Sequence, residues 1–366
     1  AEAVAGAEGP LRILGGGTRP LGRPVAGEAL SVAGLSGITL YEPGALTLVA
    51  KAGTPLAEIE AALEAEGQRL AFEPMDHRGL LGTDGAPTIG GVVAAGVSGP
   101  RRIQAGGCRD FLLGVRFVDG RGAVIRNGGR VMKNVTGYDL VKLMTGSHGT
   151  LGVLTEVSLK VLPRPATAAT LTVAGLSDAD AVRALTTALG SPFEVSGAAH
   201  APTGPDGDPA TMIRIEGFDA SVAYRAERLK DLLSRFGEIA VETDPERTRA
   251  GWDWVRDVEA FHGAAGDVWR ISVRPTEGPE IAARAEAEGL LYDWGGGLIW
   301  ALVPEGTDLR ARLGGFRGHA TLVRGSEATR AALPVFQHDA TPVAALTEGL
   351  RRQFDPRGIL NPGLMG

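Results

Sequence analysis

Pro87 to Arg102 read PTIGGVVAAGVSGPRR, a β-branched and apolar run broken by Gly90, Gly91, Gly96 and Gly99. Read as a strand, it holds glycines that each weaken a strand by roughly 0.5–1 kcal/mol relative to alanine, so something must approach the main chain closely. Exposed N–H groups in such a loop form a concave nest for anions, and each hydrogen bond to a phosphate oxygen contributes about 1.5–3 kcal/mol. The Gly, Ala and Ser composition fits, because the main chain supplies the donors. A tightly packed buried turn is the competing reading of this stretch taken alone, and its surroundings decide between the two.

Upstream, the strand-like Leu11 to Leu14 empties into Gly15, Gly16, Gly17 and Thr18. A dinucleotide fingerprint fails here on register, since Gly15 and Gly17 are followed by Pro20 where the third glycine should sit. It also fails on context, since Pro20, Gly22 and Pro24 prevent the helix that would receive a pyrophosphate. The run therefore reads as a phosphate loop without a Rossmann helix. Leu46 to Lys51 reads as a strand. Thr54 reads as the cap of a helix with Pro55 at its first position, apolar Leu56, Ile59 and Leu63 on one face, and Gly67 at its end.

Downstream, Val115 to Val118 and Ala123 to Arg126 flank Asp119 and Gly120, a hairpin signal. A second glycine cluster, Gly146, Gly149 and Gly152, opens into the alternating strand Val153 to Leu162, an entry against which a flat ring can lie. Pro163 and Pro165 stop that sheet and mark a domain boundary. Beyond it the pattern becomes α+β: strands at Leu171–Val173, Met212–Ile215, Val268–Val273 and Leu298–Val303, with helices at Asp178–Leu189, Val222–Phe236 and Pro245–Phe261. An antiparallel sheet with helices on one face is expected. The last stretch, from Pro342, holds an amphipathic helix and DPRGILNPG, read as a tail returning to the first domain. The divisions expected are 1–165, 166–341 and 342–366.

The chain has 366 residues, 44% of them hydrophobic, enough for a sizeable core and more than one domain. Its formal net charge of -6 gives no basic footprint and argues against nucleic acid as a partner. Cys108 is the only cysteine, which excludes an internal disulfide and an all-cysteine iron–sulfur site. It reads as a small packed residue. No apolar run approaches a membrane span, and the start AEAVAGAEGP lacks the features of a signal peptide, so a cytoplasmic setting is expected. Any membrane association would then come through partners.

GGGT at 15–18, TIGGVVA at 88–94, RDFLLGVRFVDGRG at 109–122, TGYDL at 136–140, GSHGTLGVLTEVSLK at 146–160 and RGILNPG at 357–363 together resemble the FAD-linked oxidases of the vanillyl-alcohol oxidase type. Within that family, GPRR at 99–102, VMKNVTGYDL at 131–140, WRIS at 269–272, DWGG at 293–296 and GHAT at 318–321 are similar to the E subunits of bacterial glycolate oxidases. The resemblance implies an N-terminal FAD domain and a C-terminal α+β cap domain. It also implies assembly with a D-type flavin subunit and an iron–sulfur subunit, and oxidation of glycolate or a related small 2-hydroxy acid. A flavin protein without iron–sulfur ligands needs such a partner to take its electrons.

The likeness puts Gly15, Gly16, Gly17 and Thr18 on the pyrophosphate. It puts Thr88, Ile89, Gly90, Gly91, Ala95, Gly96, Ser98 and Gly99 along the pyrophosphate and isoalloxazine, Gly152 and Val153 beside the adenosine or ring, and Asn361 near the flavin edge. Some relatives attach FAD through a histidine beside the first loop; Thr18 and Arg19 stand here, which implies noncovalent FAD. The D-type motif has glutamate where this chain has His148, and catalytic relatives carry a metal-binding cap histidine pair that is missing from His200, His262, His319 and His338. No metal site is expected. A 2-hydroxy acid dehydrogenase needs a cation for the carboxylate and a base near the hydroxyl. Arg270 and His319 from the cap, with Lys133 and Tyr138 from the FAD domain, are the candidates. Each also has an ordinary reading: a sheet ion pair, a turn residue, a solvated lysine and a core tyrosine, in that order. Arg101 and Arg102 are read as phosphate contacts, partner contacts or a solvated pair. An assembly or electron-relay subunit with structural FAD is the alternative function. The tryptophans, all in the second half, are read mostly as core, with a partner-facing cap surface as a second possibility.

Overall fold

The computed structural model describes residues 1–130 and 137–366. Its first half is built on a five-stranded antiparallel sheet in the order Ile38–Glu42, Thr47–Lys51, Val153–Lys160, Leu112–Val118 and Val124–Gly128. The last two strands form the expected hairpin. The Asp119 carboxylate closes its turn by accepting from the N–H groups of Arg121 and Ala123, both at 2.9 Å. Beside the sheet, Leu11–Leu14 pairs in parallel with Glu28–Ser31, and Leu11 also bridges to Leu360, so the tail does return to the first strand.

The stretch that opened the sequence reading forms a helix, Ile89–Ala95, where its composition suggested a strand. Thr88 caps it, accepting from the N–H of Gly91 at 3.3 Å, and Gly96 ends it in the left-handed region at φ +63. These two local devices overrule the β preference of Val92 and Val93, both of which are buried. Thr54 is not a cap. The helix it precedes, Leu56–Ala65, begins at Pro55 without a side-chain cap, while the Thr54 hydroxyl accepts from Gly37 N–H at 3.0 Å and sits 2.7 Å from the Lys51 carbonyl.

The second half is an eight-stranded antiparallel sheet. Its order is Ile239–Glu242, Thr167–Ala174, Ala210–Gly217, Gly197–Ala201, Gly289–Asp293, Leu298–Val303, Asp267–Val273 and Gly318–Arg324. One face takes the helices Asp178–Leu189 and Asp219–Leu233 over Leu171, Ile213 and Ile215, and carries a further apolar cluster of Ile271, Ile299 and Ala301 with Ile281 and Leu309. The expectation of helices on one face alone is corrected by Pro245–Asp257, which lies on the other. Trp252 anchors it, donating from Nε1 to the Thr170 hydroxyl at 2.9 Å, and fills the space left by Gly197, where a Cβ would come within 2.6 Å of the indole.

The inner face of this sheet packs on the first half. Val268, Leu291, Leu298, Trp300 and Leu302 belong to the same buried cluster as Leu48, Ile59, Val92 and Val157. A buried ion network reinforces the junction: Glu73 meets Arg214 at 2.9 Å, and Glu216 meets Arg69 at 2.7 Å as well as Arg101. Arg101 is thus neither a solvated residue nor a partner contact. Among the described residues, no helix is long and apolar enough to cross a membrane.

Candidate active site

On the first half, the Gly15–Gly17 loop lies against the start of the Ile89–Ala95 helix. A Cβ on Gly15 would come within 2.5 Å of the Thr88 hydroxyl, and one on Gly16 within 1.7 Å of the Ala86 carbonyl oxygen. Gly17 adopts φ +72 and borders open space. The N–H groups of Gly15, Gly16, Gly17 and Thr18 donate to no partner among the described residues. Consecutive unpaired donors on a loop whose Gly15 and Gly16 have no room for a Cβ form a preformed oxyanion cradle, which fits a pyrophosphate.

Asn361 from the tail closes this cradle. Its Oδ1 accepts from Ile13 N–H at 2.8 Å and its Nδ2 donates to the His148 carbonyl at 2.8 Å, joining the first strand to the second glycine cluster. His148 N–H in turn donates to the Ala94 carbonyl, and Gly146 N–H to that of Val93, so both clusters meet at the end of the helix. The sequence-named Thr88, Ala95, Gly96 and Asn361 are therefore assembled around one place. Ile89 and Gly90 face inward instead: Gly90 is covered by Ala52, where a Cβ would find main chain at 2.7 Å. The Ser98 hydroxyl accepts from Cys108 N–H at 3.0 Å. Gly152 is covered by Phe117, with 2.6 Å available, and Val153 is a buried strand residue, so these two pack the sheet from behind. Burial also pushes the Cys108 thiol up to about 12, consistent with a packed, inert residue.

Facing the cradle, strand alternation puts Val268, Arg270 and Ser272 on the inner face of the second sheet. His319 is registered opposite Ser272, and Thr321 opposite Arg270. Arg270 makes no ion pair or hydrogen bond among the described residues, so the sheet ion pair is absent. Its guanidinium lies over the Trp294 ring, 5.0 Å from the centroid, and Arg102 lies over the same ring at 4.8 Å. Burial, and then the charge of Arg102, bring the Arg270 pKa down to about 10. Burial, Arg270 and Arg102 together lower that of His319, which stands on a strand and not in a turn. Arg102 is exposed and stacks on that ring while Arg101 is buried, so the two do not form a solvated pair.

Three residues that were not among the site candidates complete the surroundings. Arg19 follows the first loop, is bonded to His77 at 3.1 Å and to the Met75 carbonyl at 3.1 Å, and sits beside Gly91. Burial and then the Arg19 charge hold the His77 pKa at about 3, so this ring is neutral. Asp293, buried, is raised to about 7, chiefly by desolvation. Of the remaining candidates, Tyr138 is 88% exposed, which removes it from the core. Lys133 lies outside the described residues. Trp252, Trp269 and Trp300 are buried, as the core reading has it, and Trp254 and Trp294 are partly exposed.

A main-chain anion cradle and a cationic, apolar-walled sheet are carried here by a two-domain fold of the FAD-linked vanillyl-alcohol oxidase type. The solved structure of p-cresol methylhydroxylase with substrate bound shares the fold, with a TM-score of 0.69 at 16% identity, covering 98% of this chain and 84% of that one. Residues 2–128 match the FAD binding domain family, and the cofactor is FAD. The chain belongs to the family of glycolate oxidase subunit GlcE: it is 38% identical to that subunit of Escherichia coli (strain K12) over 361 residues, 97% of this chain and 92% of that protein. Glycolate oxidase subunit GlcD of Bacillus subtilis (strain 168) is 36% identical over 126 residues, 34% of this chain and 25% of that protein.

Proposed function

We propose that the chain is the FAD-carrying subunit of a glycolate dehydrogenase complex, oxidising glycolate to glyoxylate and passing the electrons to a partner. In this reading residues 1–165 hold noncovalent FAD, 166–341 form the cap and 342–366 return to close the cradle. Supplied by the Gly15–Thr18 loop and the Thr88–Gly91 turn, the cradle holds the pyrophosphate. When bound, FAD accepts the hydride from the carbon that carries the hydroxyl.

Arg270 carries the reading, because a desolvated guanidinium that makes no ion pair among the described residues is matched by the carboxylate of a 2-hydroxy acid. His319, exposed on its strand and with its pKa lowered beside the two guanidinium groups, accepts the proton that the hydroxyl loses as hydride leaves the carbon. Hydride and proton together are the two hydrogens removed. Onward transfer to a D-type flavin subunit and an iron–sulfur subunit fits a chain whose single cysteine is buried.

The visible absorption of the purified chain, recorded without oxygen before and after glycolate, tests this. The flavin band is expected to bleach, and Arg270→Met is expected to weaken glycolate binding by about 10- to 100-fold, the value of one charge-assisted contact. An assembly or relay role is the second reading, favoured by the histidines. His200 is bonded to Thr211 at 3.0 Å and to Asp178 at 3.3 Å, and His262 to the Asp257 carbonyl at 2.9 Å, so neither stands free to pair as a ligand. A flavin band that glycolate leaves unchanged would decide for that role.

A further inference from the structure

Trp294 stands where the two halves of the candidate site meet. Its ring carries Arg270, from the inner face of the second sheet, and Arg102, from the segment that follows the glycine-rich helix. Its Nε1 donates to the Gly99 carbonyl at 3.1 Å, across the junction between the halves. Two like charges gathered on one ring repel each other, and neither has an ion-pair partner among the described residues. An arrangement of this kind is maintained by the aromatic face, which attracts each cation, and is relieved when an anion arrives.

The backbone points the same way. Trp294 has φ +53, a left-handed conformation that bulky residues rarely adopt, and is followed by Gly295 at φ +68 and Gly296 at φ +100. The Asp293 carboxylate holds this turn by accepting from Trp294 N–H at 2.6 Å. Such a conformation persists only where its surroundings over-determine it. Here they fix the indole between two arginines and the Gly99 carbonyl.

We infer that Trp294 is the positioning residue that sets the substrate-binding arginine in place and registers it against the segment that follows the glycine-rich helix. The inference rests on the reading of Arg270 given above. It assigns no chemical step to Trp294: the ring aims Arg270 through stacking, while the Nε1 bond fixes the distance between cap and that segment.

Oxalate, a nonreactive carboxylate, is the probe, and the perturbation it causes in the flavin spectrum of the holoprotein is the readout. Trp294→Leu removes the stacking face and is expected to weaken oxalate binding about tenfold, with FAD affinity unchanged. Trp294→Phe keeps a face and loses the Nε1 bond, and is expected to recover most of that loss. With glycolate, the leucine variant is expected to raise KM more than it lowers kcat. Wild-type affinity for oxalate in Trp294→Leu would overturn the positioning role and leave the function standing. Equal weakening in the leucine and phenylalanine variants would also overturn it, because stacking would then not be the cause. If the wild-type holoprotein bound no oxalate, the reading of Arg270 would fall and the role of Trp294 with it. The thermal midpoint of each variant separates these results from simple unfolding.

Discussion

The two sides of the site are made of different material. The cradle is main chain: a loop whose Gly15 and Gly16 have no room for a Cβ, a helix end and an asparagine that ties the tail across them. Opposite it, the wall is side chain: Arg102, Arg270, Asp293, Trp294 and His319, drawn from segments far apart in sequence. Main chain binds what is common to every dinucleotide, a pyrophosphate, and needs glycine to do so. In the proposed function side chains select the reacting acid, and they can vary without disturbing the cradle. Mutations on the two sides should therefore separate cofactor binding from substrate binding.

The largest effect is expected at Gly16. A Cβ there would lie 1.7 Å from the Ala86 carbonyl, so Gly16→Ala must displace main chain, at a cost of about 3 kcal/mol or more. FAD affinity, measured by titrating the apoprotein and following flavin fluorescence, should fall at least about a hundredfold. If Gly16→Ala binds FAD as the wild type does, the cradle is not where the cofactor sits.

Asn361→Ala should follow. It removes an acceptor from Ile13 N–H and a donor to the His148 carbonyl, and leaves alanine at φ +44, together about 2–3 kcal/mol. Urea unfolding should show that loss, with FAD affinity reduced and oxalate affinity of the FAD-saturated protein kept. Loss of both affinities alike would blur the separation between the two sides.

Acid sharpens the comparison through the histidines. Burial holds His148 at about 4, and burial with the Arg19 charge holds His77 at about 3, against about 6.5 for an unfolded chain. Between those limits the unfolded state binds more protons, so stability falls as pH drops below about 6.5. Each histidine contributes up to about 1.4 kcal/mol of that loss per pH unit. Asp293, raised to about 7, opposes them, losing stability as pH rises from about 4 toward 7, but it is one group against two. Thermal melts from pH 7 to 4.5 should therefore fall, and should fall less steeply in His148→Asn, since asparagine tolerates the φ of +50 at this position. An unchanged slope in that variant would show that His148 is not held neutral.

The smallest effect belongs to Thr88→Ala, which deletes a helix cap worth about 1 kcal/mol. Calorimetry should detect it as a small drop in the melting temperature.

Much of the fold was legible because it is periodic or compositional. Strand Leu298–Val303 and helix Asp178–Leu189 have the bounds that their apolar spacing indicates. The helix at 89–95 was misread because its valines and glycines suggest a strand when counted by composition. Its own signal was positional, a threonine just ahead of the run and Gly96 just past it. The cradle glycines could be named because glycine announces close approach, although the sequence could not separate Gly16, which faces the cradle, from Gly152, which accommodates Phe117.

The cationic wall was only half legible. Arg270 and His319 were named, yet their neighbourhood depends on strand order, which pairs 267–273 with 318–324 and brings the turn at Trp294 beside them. GPRR, WRIS, DWGG and GHAT each contribute one or more residues to that wall, so the motifs held the signal, while the distances between them hid it. Arg19 and His77 carried no motif at all, and only burial reveals them.

An experimental density map of the holoprotein with FAD bound tests the two-sided site most directly. The account predicts the pyrophosphate within hydrogen-bond distance of the Gly15–Thr18 N–H groups and the isoalloxazine ring between the 89–95 helix and the Arg270 face. A pyrophosphate held by side chains elsewhere, or a ring turned away from Arg270, would contradict it.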